Sequence, residues 1–169
     1  MKPLVHILFA LLLSALQAAL LRWVGGGAFS LLLPVACVVY LAIHAGNVDG
    51  SVGAAGVGYV MDLTTGTTKG LMTFLAVAAF LVVRVVQSSV DVRGRAGFAA
   101  VTALTTFLVS FGALTLALVA SPPEAAPGVR LLPRMVLEAV LTGALSPLVL
   151  AGMKRLDGLF RREEVGLLR

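Results

Sequence analysis

The sequence has little charge and almost no cysteine. Asp, Glu, Lys and Arg make up only 12% of its 169 residues, against about 25% in an average soluble domain. Cys37 is the only cysteine, which excludes an intrachain disulfide and a metal site built from several thiolates. Apolar residues account for 59% of the chain, and the mean hydropathy is +1.03. This composition excludes an ordinary cytosolic enzyme and predicts one small polytopic membrane domain.

Catalytic motifs are also missing. The chain has two histidines, His6 and His44, and lacks the patterns His-Glu-x-x-His, Gly-Lys-Ser/Thr and Cys-x-x-Cys. Only one aspartate, Asp62, falls near membrane depth, so no second carboxylate is expected to share a proton with it. We therefore predict a non-enzymatic protein without a cofactor or a metal.

The apolar runs predict an all-α fold, a bundle of six transmembrane helices. A spanning helix needs about 20 apolar residues, so six of them fill most of the chain. The third span is short and rich in glycine. The predicted spans cover approximately residues 3–21, 28–43, 48–63, 70–90, 96–120 and 131–153, and residues 154–169 form a basic amphipathic tail.

The positive charges set the predicted orientation. The net charge is +5, but the basic residues lie between or beyond the apolar runs, so we expect no nucleic-acid partner. With six spans and a cytoplasmic N-terminus, nine of the 13 Lys and Arg residues fall on the inside. The ratio is the same if the third span fails to cross, so the tail is predicted to be cytoplasmic in both cases and to lie on the membrane lipids. Its basic residues include Lys154, Arg155, Arg161 and Arg162.

Small residues repeat at every fourth position along the third span. Gly50, Ala54 and Gly58 share one face, on which another helix backbone could approach closely. This neighbour is either a helix of the same chain or the helix of a partner. Asp62 follows at the end of that face, where a carboxylate is disfavoured by the helix dipole. We expect Thr64, Thr65, the amides around Gly66 and Lys69 to offset its charge, in a structural turn or in a contact with a partner or ligand.

The last span carries a polar stripe at steps of four residues. The stripe consists of Arg134, Glu138, Thr142 and Ser146, and Pro147 follows it. Arg134 and Glu138 are spaced to pair along the helix, which would reduce the cost of a carboxylate at this depth. Thr142 and Ser146 are expected to bond the carbonyls that Pro147 leaves free. The fifth span has a matching hydroxyl row, Thr102, Thr106 and Ser110. The two rows either enclose a polar interior or satisfy each other.

Two segments resemble the rod shape-determining membrane protein MreD family. The segment Gly58-Tyr-Val-Met-Asp-Leu-Thr-Thr-Gly-Thr-Thr-Lys-Gly-Leu71 is similar to the family signature G-x-x-x-D-L-x-x-G-x-x-x-G-L, with Asp62, Gly66 and Gly70 at its fixed positions. The stretch from Glu138 to Pro147, followed by Lys154-Arg155, is similar to the family's last helix. Two positions depart from the pattern: Thr142 replaces a frequent Asn, and Lys69 replaces an apolar residue.

The resemblance implies a scaffold of the bacterial inner membrane that takes part in cell-shape maintenance. MreD-like proteins bind the bitopic protein MreC within the rod complex, or elongasome. That complex links MreB filaments to the RodA glycosyltransferase and a class B penicillin-binding transpeptidase during sidewall peptidoglycan synthesis. Whether the chain also forms a homo-oligomer is left open.

An alternative of another class is the substrate-capturing subunit of an energy-coupling-factor vitamin transporter. Such subunits have the same size and number of spans as this chain and could share its fold, and they present a small-residue face to a membrane partner. The first span has such a row, Ala10-x-x-x-Ser14-x-x-x-Ala18 together with Ala15-x-x-x-Ala19. A vitamin pocket, however, needs converging aromatic residues, and the chain has one Trp and two Tyr.

Overall fold

The chain forms six α-helices within the residues that the structure describes. The structure is a computed structural model, which describes residues 2–23, 31–65, 69–87, 94–120 and 131–166, and side chains within 5–19, 31–65, 69–87, 94–119 and 131–158. The helices are α1 Lys2–Trp23, α2 Leu33–His44, α3 Asn47–Thr65, α4 Leu71–Val86, α5 Arg95–Ala120 and α6 Leu132–Gly166. The all-α prediction is confirmed.

Helix α2 is shorter than predicted, because it begins at Leu33 and not near residue 28. Pro34 occupies its first turn, where a missing N–H costs nothing. The 12 residues of α2 span about 18 Å, and ten of them are buried. This helix contacts all five others, so it forms the centre of the bundle. Helix α4 also differs, ending at Val86 and not near residue 90.

Helix α6 corrects the prediction of a separate tail. It continues without a break past Met153 to Gly166, and its 35 residues are about 52 Å long. The predicted break rested on the change from apolar to charged residues at Lys154. Lys, Arg and Leu are all good helix formers, so a change of polarity alone does not end a helix. The last third of α6, from Lys154 to Gly166, is therefore a helical extension of the bundle.

Two helices are long and apolar enough to cross a membrane, among the residues that the structure describes. They are Arg95–Val119, with 25 residues, and Leu132–Gly158, with 27 residues. Shorter apolar helices occupy Val5–Ala19, Leu33–His44 and Leu71–Val86. Large apolar side chains such as Leu8, Phe74 and Leu148 are exposed. The structure thus supports a membrane protein by the length and composition of two helices.

Successive helices run in opposite directions. His6, early in α1, lies beside Tyr40, late in α2, whereas Gln17 bonds Leu33 at the start of α2. The bundle therefore has two ends: an α3–α4 end, which contains the turn between those helices, and an α2–α3 end, which contains His44 and the start of α3. Between them runs an apolar seam packed too closely for water, lined by Val35, Val38, Met61, Met72, Ala76, Ala79 and Val109.

Candidate functional site

Asp62 is the centre of a closed hydrogen-bond network at the α3–α4 end. It lies in the last turn of α3 and is only 7% exposed. Its Oδ1 accepts the amide of Met72 at 2.8 Å, and its Oδ2 accepts the amides of Gly70 and Thr73, each at 3.1 Å. The Thr73 hydroxyl donates a fourth bond to Oδ2 at 2.6 Å. Asp62 thus caps the N-terminus of α4, where the helix dipole favours a negative charge.

This arrangement corrects the predicted partners of Asp62. The hydroxyls of Thr64 and Thr65 bond the carbonyls of Val60 and Met61, and the side chain of Lys69 is exposed. Gly66 lies outside the described residues. The prediction considered only the dipole of α3 and missed that the next helix begins within reach. That arrangement depends on Gly70, which precedes α4 with a φ of +89° and so turns the chain back onto Asp62.

The small-residue face of α3 packs against α4 of the same chain. A Cβ atom at Gly58 would lie 2.6 Å from Thr73 Cα and 2.9 Å from the Met72 carbonyl oxygen. A Cβ atom at Gly50 would meet the ring of Phe80 at 2.6 Å. Ala54, between them, is fully buried. Of the two interpretations of this face, the structure supports packing within the chain.

The side chains of the polar stripe on α6 bond different partners. Ser146 Oγ donates to the Gly143 carbonyl at 2.8 Å, which is the carbonyl that Pro147 leaves free, as predicted. Thr142 departs from the prediction, because its Oγ1 accepts the amide of Leu32 at 3.3 Å and so serves the start of α2.

The acidic member of the stripe, Glu138, is buried and bonded across to α5. Its Oε2 accepts the hydroxyl of Ser110 at 3.3 Å, a partner that the predicted pair with Arg134 did not include. Arg134 is exposed. On α5, Thr102 and Thr106 are buried and donate to carbonyls of their own helix at 2.8 Å. The two rows therefore satisfy their hydrogen bonds within and between the helices.

A second polar cluster, which the sequence did not predict, lies at the α2–α3 end. It joins the start of α1, the end of α2 and the extension of α6. His6 Nε2 lies 3.0 Å from Asp157 Oδ1, and the Tyr40 hydroxyl donates to Asp157 Oδ2. The rings of Tyr40 and His44 stack with their centroids 4.3 Å apart. We call His6, Tyr40 and Asp157 the Asp157 network.

The geometry of His6 defines its hydrogen-bonding role. His6 is buried, and its Nδ1 is the one buried side-chain nitrogen or oxygen without a hydrogen-bond partner among the described residues. A proton on Nδ1 would leave a buried donor unpaired, so the tautomer that fits carries its proton on Nε2. In that form, Asp157 accepts one bond from α1 and one from α2.

Basic side chains surround the same end. Arg84 of α4 donates to the carbonyls of Ala42 and Ala45 at 2.9 and 2.6 Å, and so caps the C-terminus of α2. Lys154 and Arg155 are exposed at the beginning of the extension. The side chains of Arg161 and Arg162 lie outside the described residues.

The row of small residues on α1 is divided between interior and surface. Ala10 and Ser14 are buried, and the Ser14 hydroxyl bonds the Ala10 carbonyl at 2.9 Å. Ala15, Ala18 and Ala19 are exposed. Part of the face that suggested a transporter subunit is therefore covered by the chain itself.

The described residues offer two polar clusters, one at each end of the bundle, and no group of three or more His, Cys, Asp or Glu side chains that could hold a metal ion. Asp62 is saturated with donors, so its geometry suits the positioning of helices and not proton transfer. A weak signal for the second cluster was present in the sequence: Tyr40 and His44 are one helical turn apart, and both close an apolar run. Comparison with family models, curated proteins and solved structures found no match to this chain.

Proposed function

We propose that this chain is a non-enzymatic membrane scaffold of the MreD type. In this proposal it crosses the bacterial inner membrane six times, binds MreC, and helps couple MreB filaments to RodA and its class B penicillin-binding transpeptidase. The observation that carries the proposal is the folding of the signature segment. Gly58 meets the backbone of α4, and Asp62 caps that helix. The segment that resembles the MreD family therefore packs α3 and α4 together as one unit.

The packing of the bundle is consistent with this role. A scaffold must present a fixed surface to its partners, and the hydrogen bonds of Asp62, Glu138 and Ser146 join or brace its helices. The exposed side chains of several helices are large and apolar, which suits contact with lipid or with a partner helix. The short α2 needs no such contact, because its neighbours enclose it.

The six-span topology is supported by the alternating helix directions. If α5 and α6 cross the membrane, the two ends of the bundle lie at its opposite faces. In this proposal α2 and α4 lie in the same membrane layer, although α2, with 12 residues and a length of about 18 Å, is shorter than the bilayer core. The extension of α6, with Lys154 and Arg155, then lies on the cytoplasmic side by the positive-inside rule.

The proposal is tested by co-purification of the full chain from detergent-solubilised bacterial membranes. We expect the wild type to retain MreC, and cells depleted of the chain to lose their rod shape. An Asp62→Ala variant should lose MreC at matched protein levels, because the α3–α4 unit loses its cap. The exposed Asp49 offers the control, and Asp49→Ala should retain MreC.

Other outcomes of that experiment would contradict the scaffold. Normal rod shape after depletion, together with no MreC in the purified sample, would refute it. A vitamin bound to the purified chain would instead support the transporter alternative, as would recovery with an energy-coupling membrane subunit.

A further inference from the structure

The extension of α6 is joined to other helices by Asp157, among the side chains that the structure describes. From Lys154 onwards the helix continues for 13 residues, to Gly166. Within residues 154–158, the described side chains of the extension, Asp157 bonds His6 of α1 and Tyr40 of α2. Its side chain is 44% exposed, so it stands at the boundary between the packed bundle and solvent. A contact in that position can open without unpacking the core.

The groups around Asp157 define what holds it. The Tyr40 hydroxyl and the His6 Nε2–H are both donors, so together they favour an ionised carboxylate as acceptor. Lys154 lies on the same helix, one turn earlier, and its side chain is exposed. The end of the bundle therefore combines one carboxylate, bonded inward, with basic side chains that face outward.

We propose that the Asp157 network is a latch that sets the direction of the α6 extension. With the latch closed, the extension continues α6 without a break. With the latch open, the extension is free to bend toward anionic headgroups, which attract basic segments at a membrane surface. The latch rests on the proposed membrane placement of the bundle, and it does not require MreC.

The latch is tested by measuring a distance across it. Spin labels are attached to Gly94→Cys, at the start of α5, and to Val165→Cys, in the extension, with the protein in phosphatidylcholine nanodiscs. Cys37 is buried and stays unlabelled in the folded protein. Electron–electron double resonance then gives the distribution of label distances. A narrow distribution is expected for the background with the latch intact.

Two variants open the latch by different chemistry. Asp157→Asn removes the charge, and Tyr40→Phe removes only one donor. Each should raise the population of conformers with displaced label distances about fivefold, because the ordinary net strength of one hydrogen bond, about 1 kcal/mol, corresponds to that ratio. Adding phosphatidylglycerol should increase that population further in both variants. Asp49→Asn, which removes an exposed carboxylate of α3, should leave the distribution unchanged.

The remaining outcomes would overturn the latch. Unchanged distances in Tyr40→Phe as well as in Asp157→Asn would show that the contact does not hold the extension. An equal shift in Asp49→Asn would show an effect of net charge alone. The label distances are measured on the purified chain without any partner. A negative result would therefore overturn the latch and not the scaffold proposal. A negative result in the MreC co-purification would likewise leave the latch testable.

Discussion

Asp62 and Asp157 are carboxylates at opposite ends of one bundle, and they are held in opposite ways. The donors to Asp62 come from residues 8 to 11 positions later in the chain. The donors to Asp157 come from residues 117 and 151 positions earlier. Asp62 is buried, whereas the side chain of Asp157 is 44% exposed. The first closes a local unit, and the second ties distant helices together.

The difference has an energetic consequence. Removing Asp62 leaves the buried amide of Met72 and the partly buried amides of Gly70 and Thr73 without their acceptor, and an unsatisfied buried donor costs about 1–3 kcal/mol. Water can replace Asp157 at its exposed side, so its loss should cost less. The local unit should therefore determine stability, while the distant tie should determine the position of the α6 extension.

The largest effect is expected from Gly58→Ala, which breaks the local unit. The added Cβ would lie 2.6 Å from a backbone atom of α4, and backbone cannot move aside as a flexible side chain can. We expect the free energy of unfolding to fall by about 3 kcal/mol. The buried Cys37, the only cysteine, provides the assay, because a thiol-reactive dye reaches it only when the protein unfolds.

Gly46→Ala provides the matched control for that variant. A Cβ atom at Gly46 would meet nothing within 4 Å. Its unfolding temperature should stay within about a degree of the wild type, since surface substitutions of this kind change stability little. If Gly58→Ala unfolds at the same temperature as Gly46→Ala, the close contact between α3 and α4 is wrong.

The next largest loss of stability is expected from Asp62→Asn, and Asp157→Asn provides the comparison. Asp62→Asn places an amide group against at least one of the donors that now bond the carboxylate, so it should lower the free energy of unfolding by about 2 kcal/mol. Asp157→Asn should lower it by about 0.5–1 kcal/mol, because the side chain of residue 157 is itself 44% exposed and the amide oxygen of Asn can still accept a hydrogen bond. The same dye assay measures both. Equal losses in the two variants would contradict the distinction between a local cap and a distant tie.

The contrast between these sites also explains what the sequence could predict. The helical class and the positions of most helices follow from apolar runs, because a helix satisfies its backbone from its own residues. The bond from Ser146 to Gly143 was predictable for the same reason, since Pro147 frees that carbonyl within the same turn. The signature around Asp62 pointed to a turn, but the identity of its donors depended on where α4 begins.

Contacts between distant segments could not be predicted in this way. Nothing near Thr142 in the sequence indicates that it accepts the amide of Leu32, and nothing near Asp157 indicates Tyr40 or His6. Those pairs depend on which of the six apolar helices pack against each other. Uniformly apolar faces give little information about that packing. The continuous α6 differs from the prediction for another reason: the change of polarity at Lys154 marks a boundary in composition, but the backbone has no cause to end its helix there.

The smallest effect concerns the most local contact, that of Ser146. Ser146→Ala removes the hydroxyl that bonds the Gly143 carbonyl at 2.8 Å, and it should cost about 1 kcal/mol, because Pro147 offers no N–H in its place. In a Pro147→Ala background the amide of residue 147 can bond that carbonyl, so Ser146→Ala should then cost close to nothing. The double-mutant cycle, measured by the same dye assay, should give a coupling of about 1 kcal/mol.

Thr105→Ala is the control, since the Thr105 hydroxyl bonds the Val101 carbonyl in a proline-free turn of α5 and its removal should show no coupling to residue 147. A cost of Ser146→Ala that is equal in both backgrounds would mean that the hydroxyl does not replace the N–H that Pro147 lacks, and that the Ser146 hydroxyl stabilises α6 in another way.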